Sequence, residues 1–148
     1  MPSETIAIAS DHAGYDLKSA LASHVEELGF DVLDLGAANA SDSVDYPDFG
    51  YAMAKVLWEG KVRRGILVCG SGIGISIAAN RHREVRAALV HDAYGARMSR
   101  LHNDANVVVF GGRTTAPDVA IDCLRIFLET EFEGGRHGRR VDKLSSPE

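Results

Sequence analysis

The sequence predicts an α/β protein: one three-layer, doubly wound domain around a five-stranded parallel sheet, of Rossmann or flavodoxin-like type. Three observations predict it. Short apolar runs alternate with segments of helical periodicity five times along the chain. The central run, Gly65 to Cys69, is apolar throughout, as expected of a strand covered on both faces. Glycine-rich or acidic turns follow the strands, and folds of this class bind ligands at the carboxyl ends of their strands.

The elements follow in order. Ile6-Ala7-Ile8-Ala9 is the first strand, closed by the turn Asp11-His12-Ala13-Gly14. Leu17, Ala20, Leu21, Val25 and Leu28 repeat at helical spacing, and Gly29 stands where a glycine stops a helix. Phe30 to Leu35 reads as the second strand. The polar stretch from Gly36 to Asp45 is long for a connection of this kind, so it is a candidate for function. Tyr46-Pro47-Asp48 opens a second helix, with Phe49, Ala52, Met53, Val56 and Leu57 on one face and Gly60 closing it. Gly65 to Cys69 is strand three, and a short helix runs on to about Asn80. Val85 to Val90 is strand four, Ala93 to Leu101 helix four, and Asn106 to Phe110 strand five. Thr115-Ala116-Pro117-Asp118 reads as a capping box before the last helix, whose face is Val119, Ala120, Cys123, Leu124, Phe127 and Leu128. From Glu133 the chain reads as an extended C-terminal arm. Right-handed crossovers between parallel strands place helices on both faces of the sheet.

Composition narrows the function. The chain has 148 residues, 45% hydrophobic and 25% charged, which suits one core and one domain spanning 1–148. No apolar run approaches the roughly 20 residues of a membrane span, so no membrane partner is expected. The 16 basic against 21 acidic residues argue against nucleic acid. Two cysteines are too few for a disulfide scaffold, and no basic, then apolar, leader opens the chain; a cytoplasmic setting is expected.

Chemistry gathers at the strand ends. Asp11 and His12 follow strand one; by itself Asp11 reads more simply as a helix cap. Gly70-Ser71-Gly72-Ile73-Gly74 follows strand three and lets backbone amides converge on an anion at a helix N-terminus. It is neither a Walker loop nor a dinucleotide fingerprint, because the spacings differ. Cys69 ends that strand and feeds that helix, a setting that favours the reactive thiolate, whereas Cys123 reads as a small apolar residue. His91-Asp92 and His102-Asn103-Asp104 put further polar residues into short connections. Arg136-His137-Gly138-Arg139-Arg140 concentrates basic groups, either a solvated arm or a phosphate clamp. No histidine and cysteine cluster has the spacing of a metal site. These features suit a small phosphorylated anion.

Several motifs together are specific. Ser10-Asp11-His12-Ala13-Gly14, Asp45-Tyr46-Pro47, the run from Cys69 to Asn80, His102-Asn103-Asp104-Ala105-Asn106 and Gly134-Gly135-Arg136-His137 closely resemble ribose-5-phosphate isomerases of the B type. The resemblance runs from about residue 5 to about residue 141 and takes in a wider family acting on hexose 6-phosphates. It implies an aldose–ketose isomerase of the pentose phosphate pathway, converting ribose 5-phosphate and ribulose 5-phosphate without metal or organic cofactor. By position it makes Cys69 the base between C2 and C1, His102 the ring-opening acid and Asp11 the acceptor of the hydroxyl proton, with Ser71 a supporting hydroxyl. Asn103 and the amides from Gly70 through Gly72 and Ile73 to Gly74 would hold the enediolate. His12, Arg113, Arg136 and Arg140 would face the phosphate, and Tyr46 would line the site. Some relatives put a glutamate where Ile75 stands; Cys69 with Ile75 fits the cysteine-using branch.

Two alternatives stay open: a hexose 6-phosphate isomerase, and a domain that binds a sugar phosphate without turnover. Strand-edge geometry adds one expectation. Cys69 ends a strand while His102 precedes one, so the two lie at opposite sheet edges. A site using both needs either a connection that folds back a long way or a second chain; the second is the expectation, with the site shared in a homodimer or higher homo-oligomer. The chain supplying Arg113 is left open.

Overall fold

Branched and small apolar residues build the sheet. Val107, Val108 and Val109 carry branched Cβ atoms that suit a pleated surface, and all three are fully buried. The computed structural model describes residues 3–148. Its strands are β1 (Thr5–Ser10), β2 (Asp31–Asp34), β3 (Arg64–Cys69), β4 (Ala87–Leu89) and β5 (Val107–Gly111). All pairings are parallel, in the order β2-β1-β3-β5-β4. The helices are α1 (Tyr15–Glu27), α2 (Tyr46–Trp58), α3 (Ile73–Asn80), α4 (Ala93–Leu101), α5 (Pro117–Glu129) and α6 (Arg136–Ser145).

The two-residue period of a strand divides the core into two layers. On one face Ile6, Ile8, Ile66, Val68, Val108 and Phe110 pack against Leu17 and Leu21 of α1, Ala96 of α4, and Leu124 and Phe127 of α5. On the other face Ala7, Ala9, Leu67, Cys69, Val107 and Val109 meet Met53 of α2 and Ile75 and Ala79 of α3. This is the expected three-layer, doubly wound fold. None of the helices among the described residues is long and apolar enough to cross a membrane.

The strand order positions the site. From β1 the chain crosses by α1 on one face to β2; from β3 it crosses by α3 on the other face toward β4. The neighbours β1 and β3 therefore diverge at their carboxyl ends and open a crevice there.

Three expectations change. Residues from Glu133 do not form an extended arm: Arg136–Ser145 is helix α6, with His137 and Val141 buried four residues apart on one face. Two buried positions and an internal glycine are too little periodicity to announce a helix. The capping box does not form; Ala116 holds the N-cap of α5 without a side-chain bond, and the Thr115 hydroxyl is buried without a partner. The edge strands β2 and β4 are also shorter than the apolar runs. Leu35 and Val90 nevertheless continue the ladder, donating to Ile8 at 2.8 Å and Val109 at 3.1 Å.

Candidate active site

Backbone turns set the chemistry in place at the crevice. The Asp11 carboxylate accepts the Gly14 N–H at 3.0 Å through Oδ1, so the capping role holds and Oδ2 is left for a ligand. His12 Nδ1 accepts the Val44 N–H at 3.1 Å, which ties the 36–45 loop across the site and leaves the proton of a neutral ring on Nε2. Gly72 has φ of +78°, a left-handed turn that favours glycine, and its N–H donates to Cys69 Sγ at 3.2 Å. Negative charge on that sulfur finds a donor already aimed at it. The Ser71 hydroxyl accepts the Ile73 N–H at 3.2 Å and steadies the start of α3.

The turn after β5 closes the crevice. Gly112 N–H donates to the Cys69 carbonyl at 2.8 Å and Arg113 N–H to the Gly70 carbonyl at 2.9 Å. A side chain added at Gly74 would collide with the Tyr46 ring, so glycine there lets Tyr46 lie against α3. The result is an open cleft of about 690 Å³. Asp11, His12, Tyr46, Cys69, Gly70, Ser71, Ile73, Gly74 and Arg113 line it, with Ala13, Ile77 and Thr114. Arg113 therefore belongs to the same chain as Cys69. Buried Gly72 serves the cleft through its amide. Two of the amides from Gly70 to Gly74 are already engaged, those of Gly72 and Ile73. The Gly74 N–H, in the first turn of α3, has no acceptor within the helix.

His102, Asn103, Arg136 and Arg140 are not in this cleft. Cys69 is level with Gly111, the last residue of β5, whereas His102 precedes the first, Val107. The length of β5 separates them, about 13 Å at 3.3 Å per residue. His102 is the C-cap of α4, and its ring stacks on that of His137 with centroids 4.2 Å apart. Asn103, Arg136 and Arg140 are exposed nearby in sequence, and Arg136 lies 3.8 Å from Glu133. Burial, with Arg136 close by, holds the His137 imidazole below its ordinary range despite Glu133. The expected site residues thus form two groups at opposite edges of one sheet.

Nothing in the residue pattern points to Lys18. Its side chain is 2% exposed; its ammonium meets both Asp34 oxygens at 2.9 and 3.1 Å and the Ala37 carbonyl at 2.7 Å. It fastens the start of the 36–45 loop that His12 holds at the other end. Removing one partner of a buried pair costs about 3–5 kcal/mol, and the half-exposed Asp34 puts this pair at the lower end.

Residues 6–144 match the Ribose/Galactose Isomerase family. The chain belongs to it. Ribose-5-phosphate isomerase B of Escherichia coli is 40% identical over 143 residues, 97% of this chain and 95% of that one. The structure of Clostridium thermocellum ribose-5-phosphate isomerase B superposes with a TM-score of 0.94 at 46% identity, covering 97% of this chain and 96% of that one. The Mycoplasma genitalium ribose-5-phosphate isomerase B structure, with ribulose 5-phosphate bound, gives 0.91 at 40% identity over 98% and 96%. Membership of the family makes the chain an isomerase rather than a mere binding domain, and these ribose-5-phosphate isomerase relatives do not favour a hexose-phosphate enzyme.

Proposed function

We propose that the chain interconverts ribose 5-phosphate and ribulose 5-phosphate, a step of the pentose phosphate pathway, through ring opening and an enediolate. The observation that carries this is the Cys69 sulfur in the cleft, held by the Gly72 N–H beside Asp11, His12 and Arg113. Asp11 takes the proton of the anomeric hydroxyl while His102 protonates the ring oxygen, and the C1–O bond to that oxygen breaks. The Cys69 thiolate then removes the C2 proton of the open aldehyde and returns it to C1. Meanwhile the hydroxyl proton passes from the C2 oxygen to the C1 oxygen. Negative charge develops on the C1 oxygen, where amides of the Ser71–Gly74 turn stabilise it; losing one such donor typically costs about 2.7–4 kcal/mol. Ser71 supports this turn with its hydroxyl.

His102 acts in this scheme from a second copy of the chain. The separation of His102 from Cys69 supports that reading, and so does the rim of the cleft, where Ile73 is 54% and Ile77 56% exposed. A twofold homodimer would bring His102, Asn103, Arg136 and Arg140 of one chain to the cleft of the other and cover that apolar rim. His12 and Arg113 from one side and Arg136 and Arg140 from the other then grip the phosphate. The free thiols of Cys69 and Cys123 suit a reducing, cytoplasmic setting.

Turnover in deuterated water tests the reaction. Ribose 5-phosphate should acquire deuterium at the carbon the thiol serves, and kcat/KM should be higher for the five-carbon than for six-carbon phosphates. Binding without exchange, or a six-carbon preference, overturns the assignment. Arg136→Ala and Arg140→Ala should each weaken binding of inorganic phosphate by a charge-assisted contact, about 1.5–3 kcal/mol. Unchanged affinity in both variants would leave these arginines as a solvated face of α6.

A further inference from the structure

Away from the cleft, His102, Glu133 and His137 bring two imidazoles and a carboxylate together, with one ligand atom of each within 4.8 Å of the others. Glu133 Oε1 lies 3.9 Å from His137 Nε2. The two rings stack at 15° from parallel, which sets their edges side by side. The His137 side chain is 5% exposed, and its Nε2 is buried without a hydrogen-bond partner. A buried polar atom left unsatisfied carries a desolvation cost that a ligand there would remove. We propose that His102, Glu133 and His137 form a site for one divalent transition ion of the zinc class, and that an ion bound there switches the isomerase off by occupying His102.

The donor set chooses the ion. Two imidazole nitrogens and one carboxylate oxygen suit zinc and its neighbours, whereas magnesium and calcium take oxygen ligands. Bonds of about 2.1 Å in tetrahedral geometry put ligand atoms about 3.4 Å apart, so the cluster needs a contraction of up to about 1.4 Å from 4.8 Å and a turn of the half-buried His102 ring out of the stack. The backbone allows it. Glu133 is followed by Gly134 and Gly135, both at positive φ, and its own N–H donates to the Leu101 carbonyl at 3.1 Å. That bond ties the carboxylate to the turn carrying His102. Water completes the fourth position. With one nitrogen bonded to the ion, His102 keeps a single N–H and cannot become an imidazolium, and its ring is turned toward Glu133, so the bound enzyme lacks its ring-opening acid.

The inhibitory half of this proposal rests on His102 being that acid; the binding half does not. Chelator-stripped full-length protein carrying Cys69→Ala, which removes the competing thiolate, is titrated with cobalt(II) and then with zinc in competition with a chromophoric chelator. One cobalt ion per chain with four-coordinate visible absorption is expected. Glu133→Gln in the same background should weaken binding by at least about 10- to 100-fold, the scale reached when only a ligand's hydrogen-bond partner is lost. With Cys69 intact, Glu133→Gln should keep zinc-free turnover and resist inhibition by zinc, and magnesium should inhibit neither protein. Absent cobalt absorption, or binding unchanged by Glu133→Gln, overturns the site. Zinc bound at one per chain with turnover unchanged overturns the switch. Should His102→Ala remain active, the acid assignment and the switch fail together, while the cobalt titration still decides the site.

Discussion

Cys69→Ala is expected to lower kcat by about 10²- to 10⁴-fold, the usual contribution of a positioned acid or base, while sugar phosphate still binds. In the proposed reaction the sulfur serves the reacting carbons, whereas His12, Arg113, Arg136 and Arg140 hold the phosphate. Binding energy from the phosphate should therefore survive the loss of the base. The alanine also fits the space, because it removes one atom from a side chain already packed among Ala9, Val109 and Ile75 in the same core layer. Ser71→Ala should retain measurable turnover, since its hydroxyl already supports the Ile73 amide. A Cys69→Ala enzyme keeping more than a few per cent of wild-type kcat, with unchanged folding, would show that the thiolate is not the base.

Mixing two inactive enzymes should restore activity. Cys69→Ala and His102→Ala chains, combined under conditions that exchange subunits, form mixed dimers in half of all pairings. Each mixed dimer has one site with an intact cysteine from one chain and an intact histidine from the other. Equal mixing should then return about one quarter of wild-type activity. The motive is the length of β5 standing between Cys69 and His102 within one chain. Exchange can be verified with two tags of different mass; verified exchange with no recovered activity would end the shared-site reading.

Much of the cleft was legible because strand ends are punctuated. Gly70 to Gly74, Asp11 and His12 sit where an apolar run stops, and a parallel sheet gathers such stops at one edge. The same reasoning puts His102 at the other edge. Strand order was not legible: hydrophobic periodicity marks β4 and β5 as strands but does not say that β5 lies between β3 and β4. Lys18 was hidden because a lysine on a helix normally faces water, and its partners, Asp34 and Ala37, come from 16 and 19 residues away. Helix α6 reads as an arm in the sequence, since His137 and Val141 are its only buried positions. The grouping of Glu133 with His102 was out of reach for the same reason, because it depends on how the α5 to α6 connection returns to α4. Asp11 shows the opposite case: the carboxylate that caps the turn also lines the cleft.

The place of β5 in the sheet also bears on how the chain is made. Synthesis delivers β1, β2 and β3 first, and these three can pair at once. β4 emerges next and has no neighbour, for its ladder is to β5 alone. Until residues 107–111 leave the ribosome, the nascent chain carries an open edge on β3 and an orphan strand. Such edges invite pairing with other chains. The Gly112 bond to the Cys69 carbonyl and the Arg113 bond to Gly70 form only after that. The cleft around the thiol is thus among the last parts of the sheet to close, and a growing chain displays Cys69 before it can use it.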